Sequence, residues 1–330
     1  MHSQLTQGFV TKTLAAAVAA ALALGLGGCG GGGGSAPAAT TTTTSIGGVA
    51  SKGLLKHAEV KAYCGNSAVE LAKDTTGDGT GGKAKGAYSL SWTGICSEPV
   101  KIVVTPHADG LTRMEDEATK SDVMPNPSFK LRAIVADAAA TRTQNVTPAT
   151  DMAAAVAEKA VSLTAKAVAN AHALIVATVF GGDKSAYEAE PKSLDNLATA
   201  KPEEKKLATL LTTISALAQN DATCKAKSTA AAKIQCAVEA LSSKAKDSVE
   251  KVDDDGAKPD KSKQSPADML AKTLDDIKAG KVKDQDGHDV RGNMPAEVEK
   301  DEIENDRSGL GAMLAAGNTT AITGVSITGK

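Results

Sequence analysis

The sequence predicts an α+β protein, a small antiparallel beta-sandwich followed by an alpha-helical bundle. Three observations carry this reading. Between residues 45 and 145, short runs alternate apolar with polar residues and are separated by glycine-rich turns, the mark of half-buried strands. From residue 146 onward apolar residues recur at helical spacing behind recognisable N-terminal caps. Hydrophobic residues make up 42% of the 330-residue chain but aromatics only 2%, so alanine supplies much of the apolar surface. Alanine favours helix and buries little area, which predicts closely spaced helices with thin cores.

The strands follow in order. AEVKAYC places Val60, Ala62 and Cys64 on one face. AYSLSWTG places Tyr88, Leu90 and Trp92 on one side and Ser89 and Ser91 on the other. PVKIVVTP is a branched apolar run suited to a buried strand, and FKLRAIVAD alternates Phe129, Leu131 and Ala133. DTTGDGTGGKAKG reads as turn. Trp92 is read as a core residue beside Leu90 rather than as a ligand platform.

The helical part opens at Thr147 as N-cap, with Pro148 in the first turn and Asp151 near the positive helix end. Met152, Val156, Leu163, Ala167 and Leu174 fall on one stripe, which predicts one long helix ending at Gly181-Gly182. A second helix begins at Pro202 and buries Leu207, Leu210, Leu211, Ile214 and Leu217; a third buries Ile234, Val238 and Leu241. VDDDGAKPDKSKQ reads as a solvated linker. Ser265, Pro266 and Asp268 then start a short helix with Met269, Leu270, Leu274 and Ile277 inward, ended by Gly280. PAEVEKDEIENDRSGLGAMLAAG is a further helical candidate, and Ile322 to Ile327 reads as a closing strand. The resulting plan is 1–28 signal segment, 29–44 tether, 45–145 β module, 146–250 helical bundle, 251–264 linker and 265–330 C-terminal elements.

The first 29 residues carry an address. A polar start with Lys12 precedes TLAAAVAAALALGLGG, an apolar run too short to span a bilayer. Leu26-Gly27-Gly28-Cys29 resembles the lipobox of bacterial lipoproteins. The resemblance implies cleavage before Cys29, diacylglycerol on its sulfur and acylation of its new amine. Several acyl chains make a stable anchor, each buried methylene contributing about 0.8 kcal/mol. In that family an aspartate after the cysteine retains the protein in the inner membrane; Gly30 instead implies the outer membrane. GGGGGSAPAATTTTT is a flexible tether reaching roughly 20 Å as a coil.

GGVASKGLLKHAEVKAYC, a Gly/Asp turn and GAYSLSWTG together resemble the transthyretin-like, carboxypeptidase-regulatory-like module. Ala58, Val60, Tyr63, Gly86, Tyr88, Ser89 and Leu90 carry the likeness. With NVTPATDMAAAVA following, the chain is also similar to outer-envelope lipoproteins of unassigned function. The resemblance implies a fold, a location and an accessory or binding role for the β unit.

With Cys29 assigned to lipid, Cys64, Cys96, Cys224 and Cys236 remain. An exported protein meets an oxidising compartment, and four cysteines allow three connectivities. Cys64–Cys96 and Cys224–Cys236 are expected, because each pair falls inside one predicted unit.

Motifs for chemistry are sparse. GxSxG, HExxH and the P-loop do not occur, and no CxxC exists. The five histidines (2, 57, 107, 172 and 288) are scattered singly, and His107 and Asp109 read as an exposed turn. Asp74 with Asp78, and Asp284, Asp286 and Asp289, are weak calcium candidates whose Asp-Gly turns need no metal. Glu115-Asp116-Glu117 and Asp253 to Asp255 read as solvated turns. A net charge of −2 gives no reason to expect nucleic acid as a partner. The expectation is a non-enzymatic, cofactor-free lipoprotein bound to the membrane by its lipid and presenting a surface to a protein, a glycan or an extracellular polymer. A periplasm-facing scaffold or assembly factor and a carboxylate-dependent hydrolase are the alternatives.

Overall fold

Alternation along the strands sets the sheets. A computed structural model describes residues 42–284 and 286–293. Cys29, the signal segment, most of the tether, the helical candidate near residue 300 and the strand expected at 322–327 lie outside the described residues. Strand β1 (Thr43–Val49) opens two residues earlier than expected, taking Thr43 and Thr44 from the tether. The other strands are β2 (Leu55–Lys56), β3 (Ala58–Cys64), β4 (Glu70–Thr75), β5 (Ala87–Thr93), β6 (Val100–Pro106), β7 (Arg113–Asp116), β8 (Ser121–Val123) and β9 (Leu131–Val135). Strands β4-β3-β6-β9 form one sheet, β1 pairs with β5, and β2-β7-β8 form a third. Every strand pair is antiparallel. Across the four-stranded sheet Val60 stands opposite Val104, and Val104 opposite Leu131; Ala62, Ile102 and Ala133 make the next row. All six are fully buried, so the β3 alternation delivers one continuous apolar face.

The helices are α1 (Pro148–Ala157), α2 (Ala165–Val179), α3 (Lys184–Glu188), α4 (Pro202–Asn220), α5 (Ala222–Lys225), α6 (Ala230–Asp247) and α7 (Pro266–Lys278). The fold is α+β, with one hydrophobic cluster running from the sheets through the helices. Helix α1 lies inside it: all ten residues are buried, with α2, α6 and β9 against it. Its alanines allow that approach from several sides. No helix among the described residues is long and apolar enough to cross a membrane.

Two expectations need correction. The single long helix is two, because Thr164 caps a new helix, its side chain accepting from the Ala167 N–H. The chain breaks between Glu158 and Thr164, and α2 folds back against α1. The stretch read as a linker is largely a hairpin of β10 (Val249–Asp253) and β11 (Gly256–Pro259). Asp254-Asp255 supplies its two-residue turn, closed by the Asp253–Gly256 pair, and Val249 and Val252 are buried.

Helix α4 shows how polar residues enter this core. Thr209, Thr212 and Thr213 are fully buried. Their hydroxyls donate to the carbonyls of Lys205, Ala208 and Thr209, four residues back.

Candidate functional site

Three polar constellations stand out. The first is an open groove of about 430 Å³ beside the β2-β7-β8 sheet, lined by Lys56, Lys85, Lys120, Glu115, Asp122 and Ser193 among others. Lys56 pairs with Asp122. The Ser193 hydroxyl donates to Glu115 at 3.1 Å, and Lys85 lies 3.7 Å from the same carboxylate. Burial nevertheless raises the Glu115 pKa above the ordinary glutamate value. A groove with both charges and hydroxyls suits a polar, charged or hydroxyl-rich ligand.

The second constellation is sealed. Lys52 is fully buried, its ammonium donating to Glu117 Oε2 at 2.6 Å and to Ser215 Oγ at 2.7 Å. Ser215 Oγ in turn donates to Glu117 Oε2 at 3.0 Å. Lys52 belongs to the β1–β2 connection, Glu117 follows β7 and Ser215 lies on α4, so the triangle ties strands to a helix. Gly53 makes the approach possible: a Cβ there would sit 1.6 Å from the Glu115 carbonyl oxygen. A serine beside a lysine has the composition of a nucleophile and base. Both are fully buried, however, so substrate has no access to Ser215 in this conformation. The Glu115–Glu117 run is therefore not a solvated turn: Asp116 and Glu117 are buried and Glu115 lies half-buried in the groove wall. Sequence reading missed it because charged triplets are usually surface.

The third constellation joins two of the scattered histidines. His57 Nε2 lies 2.8 Å and His107 Nδ1 3.0 Å from one oxygen, Asp109 Oδ2. The other carboxylate oxygen, Oδ1, accepts from the Leu111 N–H at 2.9 Å. That backbone bond, followed by the His57 and His107 contacts, pulls the Asp109 pKa down to about 2. Register explains the meeting. Ala58 pairs with Pro106 at the end of the β3–β6 ladder, and His57 and His107 occupy the next position of the same register. Thr112, 1% exposed, locks both backbones: its hydroxyl donates to the His57 carbonyl and accepts from the His107 N–H, each at 2.7 Å. His57 holds a left-handed backbone, φ 55°, a conformation costing a non-glycine residue on the order of 1 kcal/mol. The expected strand-end turn is present, with Asp109 exposed and His107 about a third exposed, and it carries an internally bonded cluster that sequence spacing does not show.

The remaining sequence candidates have defined places. Asp74 accepts from the Lys83 ammonium and the Ser89 N–H, and Asp78 closes a turn onto Thr80. Asp284 accepts from the backbones of Asp286 and His288, and ligand atoms of these three residues lie within 4.8 Å of one another. Asp289 pairs with Arg291 and Lys283. Trp92 packs in the core, 7% exposed, and its Nε1 finds no hydrogen-bond partner among the described residues. Disulfides join Cys64 to Cys96 and Cys224 to Cys236. The first ties the end of β3 to the β5–β6 connection; the second fastens α5 to α6.

No family model, curated protein or solved structure matches this chain.

Proposed function

We propose that this chain is a non-enzymatic, lipid-anchored lipoprotein of the bacterial outer membrane whose body presents a binding surface to a protein, a glycan or an extracellular polymer. The observation that carries the reading is the order of features at the start of the chain. Leu26-Gly27-Gly28-Cys29 and a glycine- and threonine-rich segment lead into β1, whose first residue, Thr43, is already paired with Thr93. Anchor, tether and ordered body then follow one another with almost no intervening sequence. Two disulfides fit an oxidising compartment. The pairing of β3 with β6 over seven residues supports reading the β region as a transthyretin-like module. The packing of α2 and α6 on α1, and of α4 on α6 and α7, supports a helical bundle behind it. The groove around Glu115 is the proposed ligand-contact region.

Membrane fractionation tests the anchor. Cys29→Ala should release the protein or block its processing; an unchanged membrane fraction refutes lipidation. Protease shaving of intact cells then decides the face. Digestion of the body while periplasmic controls survive places the surface outward, and protection until the outer membrane is breached favours the scaffold role. One observation favours a hydrolase as the second reading: the raised carboxyl of Glu115 in the groove has the character of a general acid. Hydrolysis in a glycan screen that Glu115→Gln abolishes would put that reading first.

A further inference from the structure

We propose that His57, His107 and Asp109 form a site for one divalent transition-metal ion of the zinc and copper class, with a coordination position left open to solvent. The inference is independent of the anchor and of the groove.

Donor chemistry comes first. Two imidazoles and one carboxylate suit zinc, copper or nickel, whereas calcium and magnesium call for oxygen ligands in larger number. Ligand atoms in a tetrahedron with bonds of about 2.0–2.1 Å stand about 3.3 Å apart. The observed 2.8 and 3.0 Å separations from Asp109 Oδ2 are a few tenths of an ångström shorter, and ligand atoms of all three residues lie within 4.8 Å of one another. A small opening of the three side chains makes room for the ion. The side chains are about a third exposed, so they have freedom to make it. Metal entry replaces the His57–Asp109 hydrogen bond and the long bond that the Asp109 N–H donates to His107 Nδ1 at 3.5 Å: a proton on a coordinating nitrogen is released or moves to the other ring nitrogen, and the freed lone pair binds the ion.

Preorganisation is the second argument. The Leu111 N–H holds Asp109 Oδ1, leaving Oδ2 facing both rings. Thr112 fixes both histidine backbones from a buried position, and the β3–β6 ladder sets the span between them. Outer contacts that orient ligands in this way are typical of metal sites. His57 also keeps a left-handed backbone, an unusual conformation maintained at the cluster itself. Three protein ligands leave a fourth position for water or for a group on a partner.

The test uses the full chain, without a polyhistidine tag, in mild detergent. Zinc titrated calorimetrically should bind with micromolar or tighter affinity. His57→Asn, chosen because asparagine tolerates the left-handed backbone, His107→Ala and Asp109→Asn should each weaken binding at least tenfold. His288→Ala, in the Asp284 cluster, should leave it unchanged. A second measurement needs no variant: zinc should protect His57 and His107, but not His288, from diethyl pyrocarbonate, read by peptide mass spectrometry. Absence of zinc binding, unaltered affinity in His57→Asn and His107→Ala, or protection confined to His288 would overturn the proposal.

Discussion

Removing the Lys52 ammonium should destabilise the protein more than its single ion pair suggests. In Lys52→Met the Glu117 carboxylate stays buried and loses its 2.6 Å partner. Its Oε2 keeps only the Ser215 hydroxyl, and its Oε1 already finds no partner among the described residues. Stranding a charge in this way costs about 3–5 kcal/mol. Glu117→Met strands the lysine, whose remaining contact is Ser215 Oγ at 2.7 Å, at similar cost. The double substitution removes both charges of the pair, so neither is left stranded, and roughly preserves side-chain length. It should lie within about 1 kcal/mol of wild type or exceed it. The coupling between the two positions is then several kcal/mol and opposes the sum of the single costs. Urea unfolding with both disulfides intact, followed by circular dichroism and by the fluorescence of the single tryptophan, measures all four corners of the cycle. Coincident transitions and unchanged slopes are required. Single variants costing less than about 1 kcal/mol, or a double variant equal to the sum of the singles, would refute the buried charged triangle.

Three other outcomes are expected. Trp92→Phe removes an unpaired indole N–H worth roughly 1–3 kcal/mol while losing packing of similar size. It should be neutral within about 1 kcal/mol, whereas Trp92→Ala should cost about 3–5 kcal/mol; a large loss in the phenylalanine variant would mean that the N–H is bonded. His172 donates from Nε2 to the Ile134 carbonyl and its Nδ1 accepts from Tyr187, and burial lowers its pKa below the ordinary histidine value. The unfolded chain therefore takes up a proton that the folded one refuses. Its contribution to stability is whole above about pH 6.5 and falls as pH drops below it, by at most about 1.4 kcal/mol per pH unit. Subtracting the pH profile of His172→Gln from that of wild type isolates this slope; a flat difference would contradict the partly buried, neutral ring. Opening the disulfides by paired serine substitutions should cost about 4 kcal/mol for Cys64–Cys96 and about 3 kcal/mol for Cys224–Cys236, on the chain-entropy relation applied to sequence separations of 32 and 12. Reversal of that order in urea melts would show that strain, rather than loop closure, dominates.

Much of the architecture was legible. Alternation found β3 and β5 because each has one buried face: Ala58, Val60 and Ala62 on the first, Tyr88, Leu90 and Trp92 on the second. Capping residues found the starts of α1 and α7, where Thr147 and Ser265 accept from the third helical N–H. The cysteine pairs were legible because each falls within one short stretch. The break before α2 was hidden. In an alanine-rich run the apolar stripe continues across Thr164, and a threonine that caps looks like one that merely sits on a helix face. The β10–β11 hairpin was hidden by its charges, since only Val249 and Val252 face inward from a run of aspartates and lysines. Lys52 was hidden for a stronger reason: lysine enters a core only with a partner, and Glu117 and Ser215 are 65 and 163 residues away.

The histidine cluster lies between these cases. His57 and His107 are separated by fifty residues, and neither belongs to a recognisable metal motif. Yet AEVKAYC and PVKIVVTP both carry a strand pattern. Pairing them antiparallel in the one register that sets Val60 opposite Val104 and Ala62 opposite Ile102 brings the residue before the first strand beside the residue after the second. Those residues are the two histidines, and the turn that follows supplies Asp109. The signal was a pairing rule, not a motif. Strand alternation fixes which face is buried; it does not fix which strands are neighbours, and that missing choice of partner concealed the site.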